Sequence, residues 1–403
     1  MTTTAHILFD LLIVFVAAKA GGEIFERLRQ PAVVGEILAG MLVGPSGLNL
    51  VHESQALITM ALLGVIVLRF VVGLETKPSD LFRVGGLAFA VAALGVAASF
   101  AGGFALGHFA GFSQQASLLI ATAIVSTSVG VTARVLKDRG LLQLVESRIV
   151  IAAAVVDDVM GLFILAVVLG LAGGRFDMVR VLVIAGEILG FIAFELWIAP
   201  IVIRRHGHLL GHLRIPNGAF VVALAIMLLT AAVAEQIGLA AVVGASLAGM
   251  MLAETEDRFG LVRDARPLYD WLVPYFFALT GMRVDLHLFA DPAVLALGVG
   301  LTFVAMAAKI IGCGLGAFSL GWRGRLIVGV GMIPRAEVAR IVAASGIALH
   351  IFDARVYAAI VFAVAATMII SPAILGLIVP RTGAKWAETV SADGQQAASG
   401  APE

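Results

Sequence analysis

The chain contains 403 residues, of which 61% are hydrophobic and only 13% are charged. Soluble globular domains have roughly 45–50% apolar and about 25% charged residues, so this composition excludes an ordinary soluble enzyme and a disordered chain. The 27 Lys and Arg residues balance the 27 Asp and Glu residues, so net charge gives no indication of a nucleic-acid partner.

The apolar residues are concentrated in thirteen segments with few charges, which predicts an all-α polytopic membrane protein with about thirteen transmembrane helices. In chain order the segments are 5–28, 32–47, 54–74, 84–108, 115–136, 147–172, 178–203, 217–234, 239–253, 268–282, 293–319, 325–347 and 356–379. Asp10 and Lys19 interrupt the first segment, so we interpret it as a retained helix rather than a cleaved signal peptide.

The distribution of basic residues predicts the topology. If the N-terminus is outside, inside loops hold 18 Lys and Arg residues, outside loops hold 4, and the other 5 of the 27 lie within segments. Because cytoplasmic loops are enriched in Lys and Arg, this bias favours an outside N-terminus, a cytoplasmic C-terminus and an odd number of spans.

A short motif occurs twice in the chain. Pro31–Met41 (PAVVGEILAGM) and Ala240–Met250 (AAVVGASLAGM) are identical at 8 of 11 positions, at an offset of 209 residues. The copies open segments that are seven apart, so they run in opposite directions across the membrane, as in the inverted repeats of secondary transporters. We therefore predict two inverted-topology six-helix repeats, at 1–172 and 206–380. A connecting helix lies at 173–205 and a disordered cytoplasmic tail at 381–403.

Segments 5 and 12 occupy matching positions in the two repeats, and both contain residues that interrupt a helix. Segment 5 has Ser126, Thr127 and Ser128 at its middle, and segment 12 has Pro334 followed by Arg335. Discontinuous helices in matching positions are the best sequence indication of a transport site, because their broken ends offer free backbone groups. The alternative for segment 5 alone is a packing face of small residues.

Segment 6 places Asp157 and Asp158 in the middle of an apolar stretch. An ionisable residue inside the bilayer costs at least about 2.5–3.5 kcal/mol on insertion scales, so such residues indicate a functional site. Adjacent residues on a helix point about 100° apart, so we expect the two carboxylates to serve different partners. Lys309 lies mid-segment in segment 11, and pairing with one of these carboxylates is the simplest way to keep a buried lysine charged.

Three other polar features give weaker indications of a functional site. Glu36 and Glu75 are either lipid-interface groups or contacts between helices. The basic loop that contains His206, His208 and His212 favours contact with lipid headgroups over a metal site.

Several of these motifs together resemble bacterial sodium/proton antiporters of the NapA and NhaA type, in the cation/proton antiporter superfamily. The motifs are QPAVVGEILAGMLVGP (30–45), VVGLET (71–76), STSVGVTARVL (126–136), VVDDVMGL (155–162), Lys309 and GVGMIPRAEV (329–338). The paired aspartates with a later lysine are specific to the electrogenic branch of that superfamily.

This resemblance implies that the protein is a transporter of the bacterial inner membrane and not an enzyme, and that it needs no cofactor. It also implies a homodimer in which segments 4–6 and 11–13 form a mobile core. It implies that Asp158 binds the transported Na⁺ or H⁺ and that Asp157 is the partner of Lys309. Thr127 and Ser128 match the unwound stretch near the ion, Thr127 as a further Na⁺ ligand.

The resemblance also implies that Arg335 and Glu337 form the polar pair of the second broken helix. Arg69 and Arg340 depart from the family pattern, since both occupy positions that are normally apolar. The alternatives are exchange of K⁺ or Li⁺ for H⁺, a passive channel, and an intramembrane aspartyl protease. The protease requires a second aspartate on a separate helix, which the segments do not supply.

Overall fold

A computed structural model of the protein describes residues 3–76, 78–172, 178–199, 201, 205, 217–284, 291–335 and 337–379. Within these ranges it contains no strand and fifteen α-helices of ten or more residues. The helices are α1 (Thr3–Arg27), α2 (Ala32–Val43), α3 (Gln55–Leu74), α4 (Pro78–Phe109), α5 (Gln114–Ala123), α6 (Val129–Asp138), α7 (Val145–Ala172), α8 (Met178–Ala193), α9 (Gly218–Gln236), α10 (Ala241–Leu252), α11 (Leu261–Met282), α12 (Pro292–Gly316), α13 (Trp322–Gly331), α14 (Glu337–Ala348) and α15 (Ala354–Ile378). The predicted tail at 381–403 and the loop histidines His206, His208 and His212 lie outside the described residues.

The fifteen helices of the described residues correspond to the thirteen apolar segments, because two segments are each divided into a pair of shorter helices. Segment 5 is divided into α5 and α6, and segment 12 is divided into α13 and α14. Among the described helices, five are long and apolar enough to cross a membrane, namely α3, α9, α12, α15 and the part of α4 from Arg83 to Phe109. The structure is therefore all-helical and has membrane-like apolar helices.

All of the fifteen helices except α8 pack as two groups, and α8 contacts α7. The scaffold group consists of α1, α2, α3, α9, α10 and α11, in which α3 lies against both α10 and α11. The core group consists of α4 to α7 and α12 to α15, in which α12 lies against α4, α13 and α15. The groups meet chiefly where α6 contacts α2 and α3 and where α15 contacts α2. The divided helices therefore belong to one group, and their neighbours across the interface belong to the other.

Glycines allow the scaffold helices to approach each other closely, and they do so in matching pairs. A Cβ atom at Gly35 of α2 would overlap Gly21 O of α1, and a Cβ atom at Gly244 of α10 would overlap Thr230 O of α9. Gly35 and Gly244 are 209 residues apart, and so are Gly21 and Thr230. The two copies of the motif therefore pack against their preceding helices at equivalent positions.

The same correspondence holds for the central helices of the scaffold group. A Cβ atom at Gly40 of α2 would overlap Ala278 O of α11, and one at Gly249 of α10 would overlap Phe70 O of α3. The divided core helices correspond as well, since α5 begins at Gln114 and α13 begins at Trp322, 208 residues later. These spacings agree to within one residue for four pairs of helices, namely α1 and α9, α2 and α10, α3 and α11, and α5 and α13.

We predict that Gly249→Ala destabilises the protein by about 1–3 kcal/mol, because the added methyl overlaps a backbone oxygen of α3 and forces two packed helices apart. The measurement is the melting temperature of the detergent-solubilised protein. Gly86→Ala is the matched control, since in the described part of the chain no atom of another helix lies within 4 Å of the added Cβ. An alanine is also favoured over glycine within a helix. Equal melting temperatures for the two variants would contradict the close contact of α3 and α10.

Candidate functional site

The breaks in the two divided helices cross each other in the core group. The hydroxyl-rich stretch between Ala123 and Val129 lies between α5 and α6, and Pro334 lies in the stretch between α13 and α14. Pro334 has no backbone N–H to donate and is disfavoured inside a helix, whereas Ser and Thr side chains compete for backbone groups. Ser128 N donates to Pro334 O at 2.7 Å, and Thr127 Oγ1 donates to Met332 O at 3.0 Å. Hydrogen bonds between the two unwound stretches thus satisfy some of the backbone groups that the broken helices leave without partners.

Arg335 is buried at this crossing, with 1% of its surface exposed. Its Nη1 atom donates to Val125 O and Ser126 O, both at 2.9 Å, and its Nη2 atom donates to Ala305 O at 3.2 Å. Val125 and Ser126 lie just beyond the C-terminal end of α5, where the helix dipole places partial negative charge. The arginine therefore stabilises the first broken helix and ties it to α12. The Glu337 side chain, its expected partner, lies outside the described residues, as does that of Arg340.

Asp157 and Lys309 form an ion pair entirely within the core group. Lys309 Nζ lies 2.5 Å from Asp157 Oδ1, and both side chains are 0% exposed. Thr127 N donates to the other carboxylate oxygen, Asp157 Oδ2, at 2.7 Å. A buried charge pair is tolerated when further hydrogen bonds complete it, and this arrangement meets that condition. The pairing that the sequence predicts for Lys309 is present, and it joins α7 and α12 to the first unwound stretch.

Asp158 faces a different direction and has a different partner. Its Oδ2 atom lies 3.2 Å from Arg69 Nη2, and the two side chains are 14% and 4% exposed, respectively. Arg69 belongs to α3, so this ion pair crosses from the core group to the scaffold group. In the sequence, Arg69 was evident only as a departure from a family pattern. The interruption of an apolar segment by one arginine was the signal available, but it did not identify the carboxylate.

A small cavity of about 30 Å³ lies between the two groups, and Asp158, Arg69, Ser126, Thr127 and Ser128 are among the residues that line it. A space of this size accommodates one cation or one or two water molecules. The unwound stretch contributes backbone and hydroxyl oxygens, and Asp158 contributes a carboxylate. Carboxylate, carbonyl and hydroxyl oxygens are hard ligands of the kind that alkali cations require.

Ser126, which the sequence identified only as part of the interruption of segment 5, also lines this cavity. It is 5% exposed, and its hydroxyl has no protein hydrogen-bond partner among the described residues. Gly161, one turn after Asp157 on α7, allows the helix to approach this hydroxyl, because a Cβ atom at position 161 would overlap Ser126 Oγ. Ser126 and Asp158 line the same cavity, so this hydroxyl oxygen is available to a ligand bound there.

A cluster of charged residues joins the two groups at the end of the molecule near the C-terminus of α6. Arg134 Nε donates to Asp138 Oδ2 at 2.6 Å, and Arg134 Nη2 lies 3.7 Å from Glu36 Oε1 of α2. The Arg134 guanidinium also lies over the Tyr269 ring of α11, 5.0 Å from its centroid. Glu36 therefore forms a contact between helices and not one with lipid.

Glu75 likewise contacts another helix, since its carboxylate accepts from Lys137 Nζ of α6. Both residues line a larger cavity of about 670 Å³, together with Asp138, Arg263 and Tyr269. This cavity lies between α3, α6 and α11, at the end of the molecule that the charge distribution predicts to be cytoplasmic. The two groups therefore enclose space on that side of the interface and meet through ion pairs around it.

Comparison with known proteins shows that the similarity covers nearly the whole chain. Residues 11–380 match the family model described as "Sodium/hydrogen exchanger, transmembrane". The chain is 32% identical over 359 residues to the "Probable Na(+)/H(+) antiporter GerT" of Bacillus cereus, covering 88% of this chain and 94% of that protein. It is 30% identical over 372 residues to the "Na(+)/H(+)-K(+) antiporter GerN" of the same organism, covering 91% of this chain and 95% of that protein.

A solved structure supports the same fold. The structure of the sodium proton antiporter MjNhaP1 from Methanocaldococcus jannaschii at pH 8 matches with a TM-score of 0.66. The match covers 94% of this chain and 98% of that chain, at 16% sequence identity. The helical architecture described above is therefore shared with a structure whose sequence has diverged strongly.

Proposed function

The chain belongs to the sodium/hydrogen exchanger family, and from this membership we propose that it exchanges Na⁺ for H⁺ across a membrane by alternating access. The observation that carries the proposal is the position of Asp158, a mid-segment carboxylate beside two crossed helix breaks and a cavity the size of one ion. A carboxylate that binds either Na⁺ or H⁺, but not both, makes the exchange obligatory. The protein acts as a transporter and not as an enzyme.

Within this site we assign one role to each predicted residue. Asp158 binds the transported ion, and Thr127, Ser128 and the free hydroxyl of Ser126 supply oxygens from the unwound stretch. Asp157 and Lys309 form the charged partner pair, and Arg335 holds the crossing together with Glu337. The contacts of Asp157, Lys309 and Arg335 in the core group support these assignments.

We further propose that exchange is electrogenic, as in the NapA and NhaA branch. Na⁺ at Asp158 places a positive charge one residue from the Asp157–Lys309 pair, and we propose that Lys309 then releases its proton. Two protons, one from each of Asp158 and Lys309, would then exchange for one Na⁺, so each cycle moves net charge.

The architecture that we propose is thirteen membrane segments in two inverted-topology repeats, 1–172 and 206–380, with a linking helix at 173–205 and a cytoplasmic tail at 381–403. Equivalent glycine contacts at offsets of about 209 residues support the repeats. The excess of inside Lys and Arg supports an outside N-terminus and a cytoplasmic C-terminus. We propose that the membrane is the inner membrane of a bacterium. We also propose a homodimer embedded in membrane lipids, in which the core group moves against the scaffold group.

The test of this function is proton movement in proteoliposomes that contain the purified protein and an internal pH-sensitive dye. We expect external Na⁺ to drive proton efflux from the vesicles and to raise the internal pH. Li⁺, K⁺ and choline, added separately at the same ionic strength, determine the cation preference. A response to K⁺ and not to Na⁺ would favour the K⁺/H⁺ alternative, and no response to any cation would contradict antiport.

A further inference from the structure

The two adjacent aspartates differ in the part of the protein that holds their partners. Asp157 pairs with Lys309, and both residues belong to the core group. Asp158 pairs with Arg69, and this pair joins the core group to α3 of the scaffold group. A displacement of the core group therefore carries the first pair along unchanged, whereas it has to separate the second.

We propose that Arg69 is a latch that holds the core group against the scaffold group while Asp158 carries neither Na⁺ nor H⁺. This inference rests on the proposed function, because it concerns the same carboxylate. The latch makes Arg69 a positioning residue and a determinant of coupling, in that it prevents the empty carrier from crossing between the two faces of the membrane.

The charges and burial of the pair carry this argument. Arg69 and Asp158 are largely shielded from water, with side chains 4% and 14% exposed. Separating such a pair takes a close counter-charge away from each side chain in surroundings that solvate charge poorly, which is strongly unfavourable. The deprotonated, cation-free core is therefore held in place.

Binding of either transported ion removes this restraint. Protonation cancels the charge of Asp158, and Na⁺ supplies a positive charge from within the cavity that Arg69 also lines. The guanidinium and the cation then compete for one carboxylate. Arg69 consequently weakens Na⁺ binding while it enforces exchange. Its removal should therefore strengthen Na⁺ binding and weaken the coupling between Na⁺ and H⁺ movement.

The experiment compares Arg69→Gln and Arg69→Met with the wild type in proteoliposomes. Each neutral variant is expected to lower the KM for Na⁺ by roughly fivefold or more, which is the lower end of the coupling usually measured between two interacting binding events. Each variant is also expected to dissipate a Na⁺ gradient without the equivalent movement of protons. Arg69→Lys, which keeps the charge, should retain the wild-type ratio of H⁺ to Na⁺.

Arg355→Gln is the matched control, because Arg355 also lies 3.2 Å from a carboxylate, that of Asp291, but its side chain is 69% exposed. It should change neither KM nor the coupling ratio. Neutral Arg69 variants that fold and keep both wild-type values would overturn the latch. Failure of both neutral variants to fold would overturn it too, since a pair broken in every cycle is not essential to the fold. A wild-type protein that exchanges no cation would instead refute the proposed function itself.

Discussion

Asp158→Asn is expected to abolish Na⁺-driven proton exchange and to leave the protein folded. Asparagine has nearly the same size but does not titrate, and its neutral amide oxygen is a much weaker ligand for Na⁺ than a carboxylate. Since Asp158 lines the cavity at the helix crossing, its replacement removes the carboxylate for which Na⁺ and H⁺ compete. The variant removes the carboxylate that Arg69 contacts, so the melting temperature should fall. The fold should still persist, because the more deeply buried Asp157–Lys309 pair within the core group is untouched.

The measurement is the dye response to a Na⁺ pulse, with the elution profile on size-exclusion chromatography and the melting temperature as checks of folding. Asp270→Asn is the matched control, because Asp270 is also an aspartate in an ion pair, with Arg266, but its side chain is 52% exposed. This variant should transport as the wild type does. Exchange by a folded Asp158→Asn protein at a rate near that of the wild type would remove Asp158 from the mechanism.

The elements of the site that sequence reasoning predicted are those in which one residue type determines the local structure. Pro334 and the run Ser126–Ser128 interrupt the helices for reasons that act within a few residues. The pairing of Lys309 with one of the two aspartates followed from the high energy of an isolated charge in an apolar segment, whereas the choice of Asp157 was implied only by the family resemblance. Their assembly at one crossing is the structural observation that joins them.

The contacts that were missed depend on which helices become neighbours. Arg69 and Asp158 are 89 residues apart, and nothing in either segment indicates that α3 lies beside α7 at that depth. The whole second half of α3 is buried, so its sequence has no polar face that would mark the side on which Arg69 lies. The contact of Glu36 with Arg134 was left open for the same reason. Helix packing decides such contacts, and composition does not.

Lys309→Gln is expected to destabilise the protein by roughly 3–5 kcal/mol, because it leaves the Asp157 carboxylate buried without its counter-ion. Both side chains are 0% exposed, so water does not replace the lost charge. The melting temperature in detergent measures this effect. Under the proposed mechanism the same variant should also show exchange that depends less on membrane voltage, because only the proton on Asp158 would remain to exchange for Na⁺.

A double variant separates the structural role of Lys309 from its role in transport. Asp157→Asn combined with Lys309→Gln removes both charges, and it should recover much of the stability that Lys309→Gln loses, because no unpaired charge stays buried. Its Na⁺ uptake under an imposed potential should still be less voltage-dependent than that of the wild type. If Lys309→Gln keeps the full voltage dependence, the lysine is not the second proton carrier and serves only as the partner of Asp157. If the two substitutions reduce stability additively, the two side chains do not stabilise each other, and the close pair between α7 and α12 does not contribute to stability.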